Sequence, residues 1–225
     1  MRVVVLPDIH GRFEALAAML RHCGAADASL NWAGADLTLV QLGDVVDRGP
    51  RPRACVDLLT RLHAAARGRL VALKGNHEDL LLRSGESPLA WTRWMLNDGR
   101  ATVESYGEDF ERLCRPGGAH FDWFSALPLS WEQGGVFFVH GGLSRGNLEK
   151  RDPQRLMWDR PPLTRGPYQA LVCGHTPTPS GRVEVKDHVF FCDIGLGWGR
   201  EAGLEYLEMD LDEGGLRGWK VRRAD

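Results

Sequence analysis

The sequence predicts an α/β fold, and two patterns predict it. Short apolar runs recur along the chain with helical patterns between the first three, and strand, helix, strand, helix, strand implies parallel βαβ units. Five of the apolar runs also lead straight into a glycine-flanked polar motif, as at Val3-Val4-Val5-Leu6 before Pro7-Asp8-Ile9-His10-Gly11. Polar residues that follow parallel strands gather at one crevice.

Taken in order, strands are expected at 3–6, 37–42, 70–73, 136–139, 171–173, 189–192 and 204–209, where apolar and β-branched residues cluster. A helix is expected over 13–23, rich in Ala, Leu and Met, and another over 54–66, after the Gly49-Pro50-Arg51-Pro52 turn. The later strands are closely spaced, joined through Lys186-Asp187-His188 and the glycine-rich stretch 195–203, which predicts antiparallel pairing there. Residues 84–131 interrupt the strand pattern with Trp91, Trp94, Tyr106, Trp123 and Trp131, and are expected to form a helical and aromatic insertion in a single domain spanning 1–225. The tryptophans are expected to pack in a core or cap.

Composition narrows the function. With 28 Lys and Arg against 30 Asp and Glu, the formal charge is −2 and there is no basic footprint for nucleic acid. No apolar run reaches the length of a membrane span, and the four apolar residues after Met1-Arg2 are too few for a signal-peptide core, so a cytoplasmic protein is expected. Five scattered cysteines without a Cys-x-x-Cys pair predict buried free thiols rather than disulfides or a thiolate zinc site.

The motifs at the strand ends carry chemistry. Asp8 and His10 stand two residues apart, so an extended backbone would point both the same way. Gly43-Asp44-Val45-Val46-Asp47-Arg48-Gly49, Lys74-Gly75-Asn76-His77-Glu78, His140-Gly141-Gly142 and Gly174-His175-Thr176 follow the later runs. Carboxylate, imidazole and amide ligands suit manganese, iron or zinc. Two cations about 3.5–4 Å apart need a bridging anion and can clamp both oxygens of an in-line displacement. Glycines 11, 43, 75, 141 and 174 would let backbone approach the ligands closely. Glu78 is read as a loop support or helix cap. His22, His63, His120 and His188 match no motif.

These five motifs, in this order, resemble the signature of the phosphoprotein phosphatase branch of the calcineurin-like metallophosphoesterases, and the resemblance runs from residue 1 to about 200. Ser105-Tyr106-Gly107 and Leu156-Met157-Trp158-Asp159-Arg160 also resemble segments of compact bacterial members. The resemblance implies a β-sandwich of mixed sheets flanked by helices, with the site at the carboxyl ends of strands. It implies that Asp8 and His10 hold a first metal, that Asp44 bridges, and that Asn76, His140 and His175 hold a second, with manganese the first candidate. It implies that Arg48 and Arg160 grip phosphoryl oxygens, and that His77, oriented by Asp47, is the general acid. Asp193-Ile194-Gly195-Leu196 and His140-Gly141-Gly142 depart from the family's usual wording but touch no implied ligand.

The expected activity is hydrolysis of phosphoserine and phosphothreonine in proteins by in-line attack of a metal-bridging hydroxide. A phosphorylated protein or a small phosphoester is the expected partner, and the oligomeric state is left open. Symmetrical hydrolysis of dinucleoside polyphosphates such as diadenosine tetraphosphate is the alternative, since it would use the same motifs. A catalytically silent binding module is a third reading, disfavoured because every ligand and the acid are present.

Overall fold

The structure, a computed structural model, describes residues 1–200 and 203–224. In chain order it runs β1 (Arg2–Leu6), α1 (Phe13–His22), β2 (Leu37–Gln41), α2 (Pro52–Ala65), β3 (Leu70–Ala72) and α3 (Asn76–Arg83). Helices α4 (Pro88–Met95), α5 (Arg100–Tyr106), α6 (Phe110–Leu113) and α7 (Ala119–Ala126) follow within 84–131. The chain continues through β4 (Ser130–Gln133), β5 (Val136–Val139), α8 (Pro153–Trp158), β6 (Ala170–Cys173), β7 (Glu184–Lys186) and β8 (Val189–Phe191) to β9 (Glu205–Asp212) and β10 (Gly215–Arg223).

The strands form two mixed sheets, ordered β10-β9-β1-β2-β3 and β4-β5-β6-β8-β7. Strand periodicity explains how they stack. Val3 and Val5 face one way and meet Phe138, Val172 and Phe190 of the second sheet, whereas Val4 and Leu6 face the other way, onto Leu16, Leu20, Leu59 and Leu62 of α1 and α2. With both faces covered, the central strands read as unbroken apolar runs rather than alternating ones. On the outer face of the second sheet, Phe137, Val139 and Leu171 pack with Leu143 and Leu156. Each such buried side chain stabilises the fold by about 1.5–3 kcal/mol.

The parallel expectation for the first half holds, since β1 pairs with β2 and β2 with β3 in parallel. The antiparallel expectation for the second half needs correction. Hairpins β7–β8 and β9–β10 are antiparallel, but β5–β6 and β6–β8 are parallel. The connections before β6 and β8 are long enough for a crossover, so two strands near in sequence need not be partners. The 189–192 and 204–209 runs, expected to pair, stand in different sheets; residues 201 and 202 of their connection lie outside the described residues. Helix α2 also starts two residues before the expected 54, because Pro52 fits the first turn, where its missing N–H has no partner to lose.

Two sets of parallel strands therefore open their carboxyl ends on the same seam. Leu6 is level with Gln41, Gln41 with Ala72, and Val139 with Cys173, so the loops that follow emerge side by side. No helix among the described residues is long and apolar enough to cross a membrane.

Candidate metal centre

Asp8, His10, Asp44, Asp47, Asn76, His77, His140 and His175 are all buried. Their loops are laced together by backbone. His10 N–H donates to Asp44 O at 2.8 Å, Gly174 N–H to His140 O at 2.9 Å, and His175 N–H to the Asp8 carboxylate at 2.9 Å across the two sheets. Close approach demands glycine at two points: a Cβ on Gly174 would sit 2.1 Å from Asp8 Oδ1, and one on Gly75 would sit 2.1 Å from Asp44 Oδ1.

Backbone strain concentrates here. His10, Asp44, Asp47, Arg48 and His175 hold φ of +46°, +54°, +69°, +65° and +63°, a region costly for residues with a Cβ and persistent only where surroundings enforce it. Glu78 is one enforcer. Its buried carboxylate accepts from the N–H groups of Asp44 and Val45 at 2.8 Å, Gly75 at 2.9 Å and Val46 at 3.3 Å, tying the β2 and β3 loops together. Burial, then Asp44, raises its pKa.

Asp44 lies between two histidine sets. One carboxylate oxygen is 3.4 Å from His10 Nε2 and 3.8 Å from His77 Nε2, and the other is 3.3 Å from His140 Nε2. Asn76 Oδ1 is 2.9 Å from His140 Nε2. His10 and His140 can each give their Nδ1–H to a backbone carbonyl, Val46 O at 2.8 Å and Leu42 O at 2.9 Å, which turns Nε2 toward the centre. His10 with Asp44 and His77, and Asp44 with His140 and His175, form two groups whose ligand atoms lie within 4.8 Å of one another.

Protonation follows burial and charge. Burial and then Asp193 push the Asp8 carboxyl well above its usual range, while burial, with Asp44 adding to it, pushes Asp193 up to about 6. Burial would also raise Asp44, but His140, His77 and His10 hold it well below. His140, despite burial, is driven to about 10 by Asp44; His175 is lowered to about 2 by burial and by His140, and His10 is lowered by burial and by His77. The residues present suit divalent cations: Asp8 Oδ1 and His175 Nε2 are buried with no hydrogen-bond partner, an expense that a bound cation would relieve, and the donors are all nitrogen and oxygen.

The implied residues are not all equally close. Asp8 falls outside both tight groups, and His77, expected as an acid rather than a ligand, falls inside one. His77 Nδ1 is 2.7 Å from Asp47 Oδ2; burial lowers the His77 pKa, but Asp44 and Asp47 outweigh it and raise it. Arg48 Nη1–H reaches His10 Nε2 at 3.1 Å and Nη2–H reaches His77 Nε2 at 3.2 Å, with Trp198 stacked 4.6 Å away. Arg160 is exposed at the rim, 3.4 Å from the Thr176 hydroxyl.

Sequence reasoning missed the residues that hold Asp47. Trp94 Nε1–H donates to its Oδ2 at 2.9 Å, and the Thr102 hydroxyl donates to Oδ1 at 2.5 Å while accepting the Asp47 N–H at 2.9 Å. Both come from the helices of 84–131, more than 45 residues away, and carry no local motif. Asp193 was quoted only as a departure from the family wording, yet its charge faces Asp8.

A family model described as calcineurin-like phosphoesterase matches residues 1–203. The chain is 31% identical over 153 residues to Shewanella-like protein phosphatase 1 of Plasmodium berghei (strain Anka), covering 64% of this chain and 39% of that one. It is 34% identical over 135 residues to Shewanella-like protein phosphatase 2 of Arabidopsis thaliana, covering 58% and 34%. It thus spans well under half the length of these relatives. The crystal structure of a cold-active protein-tyrosine phosphatase of a psychrophile Shewanella sp. matches all of this chain and 80% of its own, with a TM-score of 0.73 at 18% identity, a likeness of fold. With two mixed sheets and a cluster of candidate ligands at their shared mouth, the chain belongs to the calcineurin-like phosphoesterases.

Proposed function

We propose that the chain hydrolyses phosphoserine and phosphothreonine monoesters in proteins, using two divalent cations, manganese first among them. Asp8, His10 and Asp44 would hold one ion, and Asp44, Asn76, His140 and His175 the other. When bound, such a pair lowers the pKa of coordinated water toward neutrality and neutralises charge on the phosphoryl group.

The chain's own groups do the rest. Arg48, a planar fork of donors, would leave His10 and His77 for two phosphoryl oxygens, and Arg160 would take a third from the rim. That exchange frees His77 Nε2 to carry a proton to the leaving oxygen, while Asp47 holds Nδ1 and stabilises the charged ring. The observation that carries the reading is the buried 2.7 Å His77–Asp47 contact beside Asp44. A serine or threonine alkoxide is a poor leaving group and needs such an acid; a phenolate needs it less. Five buried free thiols support a reducing compartment such as the cytoplasm.

The test is a substrate panel on metal-loaded enzyme: a phosphoserine peptide, the matching phosphotyrosine peptide and diadenosine tetraphosphate. We expect the highest kcat/KM on phosphoserine. A large preference for the dinucleotide would overturn the proposal, and a preference for phosphotyrosine would remove the alkoxide leaving group from it.

A further inference from the structure

Beside the centre lies a cavity of about 890 Å³, between the loop after β5 and the segment after α8, and of its lining the catalytic scheme uses Arg160. Four of its lining residues are Arg145, Arg155, Arg160 and Arg165, against two carboxylates, Asp159 and Asp187. Asp159 is already engaged: it accepts from Ser144 N–H at 3.1 Å, from the Ser144 hydroxyl at 2.6 Å and from Arg155 Nε–H at 3.2 Å. Arg145, Arg160 and Arg165 form no ion pair with a carboxylate among the described residues. A groove with unpaired guanidinium groups, charged at every physiological pH, is made for anions.

Arg160 links the groove to the rim of the centre. Its guanidinium reaches Thr176, the residue after the candidate ligand His175. Trp158, two residues before Arg160, stands edge-on to the His175 ring at 5.8 Å. A chain held with its phosphate at the centre would pass Arg160 into the groove.

We propose that this groove binds an acidic flank of the phosphorylated chain, Asp, Glu or a second phosphate near the hydrolysed one. This rests on the phosphoprotein reading above. A peptide flank fits better than a nucleotide, because no aromatic ring lines the groove and nucleobases are held largely by stacking on aromatic side chains.

The test uses the double variant Arg145→Ala/Arg165→Ala, which leaves Arg48 and Arg160 in place. Two labelled phosphoserine peptides, one with acidic flanks on both sides and one with neutral flanks, are measured for Kd by anisotropy and for KM, with diadenosine tetraphosphate and p-nitrophenyl phosphate alongside. Wild-type protein should bind the acidic peptide about fivefold to tenfold tighter than the neutral one, and the variant should lose most of that margin. Turnover of p-nitrophenyl phosphate should be unchanged, and the margin should shrink with added salt. Equal Kd for the two peptides on wild-type protein would overturn the groove assignment, as would a loss in the variant confined to diadenosine tetraphosphate. An arginine-dependent margin in Kd without turnover of either peptide would uphold the groove and overturn the phosphatase reading instead.

Discussion

Thr102→Val removes the hydroxyl from a side chain of nearly the same shape. Two contacts go with it: the 2.5 Å bond to Asp47 Oδ1 and the 2.9 Å bond from Asp47 N–H. Asp47 is wholly buried, so no water replaces them. A hydrogen bond to a charged group contributes about 1.5–3 kcal/mol, and a stranded buried N–H costs about 1–3 kcal/mol, roughly 3–6 kcal/mol together. For a chain of this size each kcal/mol moves Tm by about 2–4 °C, so a fall of roughly 6–24 °C is expected by calorimetry. The kinetic effect should be selective. With Trp94 Nε1–H left as the other donor from the helical segment, Asp47 would aim His77 less well. Turnover of a phosphoserine peptide should fall about tenfold or more, and that of p-nitrophenyl phosphate by less than about threefold, since a nitrophenolate needs little protonation. Thr102→Ser, which keeps the hydroxyl, should restore both. The reasoning fails if Thr102→Val melts within about 2 °C of wild type, if both substrates suffer alike, or if Ser is as damaging as Val.

Other outcomes follow from the same geometry. Asp44→Asn should lower metal content by elemental analysis and activity in parallel, because it removes the carboxylate charge facing both histidine sets; a fully metallated, active variant would rule out a bridging role. His77→Asn should keep its metals and lose about 10²–10⁴-fold on phosphoserine with a much smaller loss on the aryl ester; equal losses would remove His77 as the acid. Metal binding should release protons. His140 titrates at about 10 in the metal-free protein, so at pH 7 it carries a proton that a cation must displace. Raising pH from about 7 toward 10 should therefore tighten binding by about tenfold per unit for each proton displaced. Calorimetry in buffers of different ionisation enthalpy would count those protons, and heats independent of buffer would contradict the assignment.

The sequence revealed those parts of the fold that rest on local pattern. Val3–Leu6 and Leu37–Leu39 announce their strands because both faces are covered, and the residues after them announce the seam because parallel strands end there. Strand β10 escaped notice, since Gly218 and the basic run around Trp219 give it little apolar character and its outer edge is open. The parallel order of β5, β6 and β8 was hidden because it depends on which crossover each connection takes. Within the centre, residue types and glycine contexts marked the five motifs, and the family resemblance singled out eight side chains in them, all of which are buried. Trp94, Thr102 and Asp193 had no motif, and only tertiary packing brings them to Asp47 and Asp8.

The two faces of the sandwich each supply part of the candidate cage: Asp8, His10, Asp44 and Asn76 follow strands of one sheet, and His140 and His175 follow strands of the other. The His175 N–H bond to Asp8 already ties the two lips together across 167 residues of chain, and a pair of cations sharing Asp44 would act as a rivet beside it. Stripping the ions would unpin that lip while leaving the apolar interior between the sheets intact. Loss of metal should consequently register as breathing at the strand tips, seen in faster amide exchange there, well before it registers as unfolding.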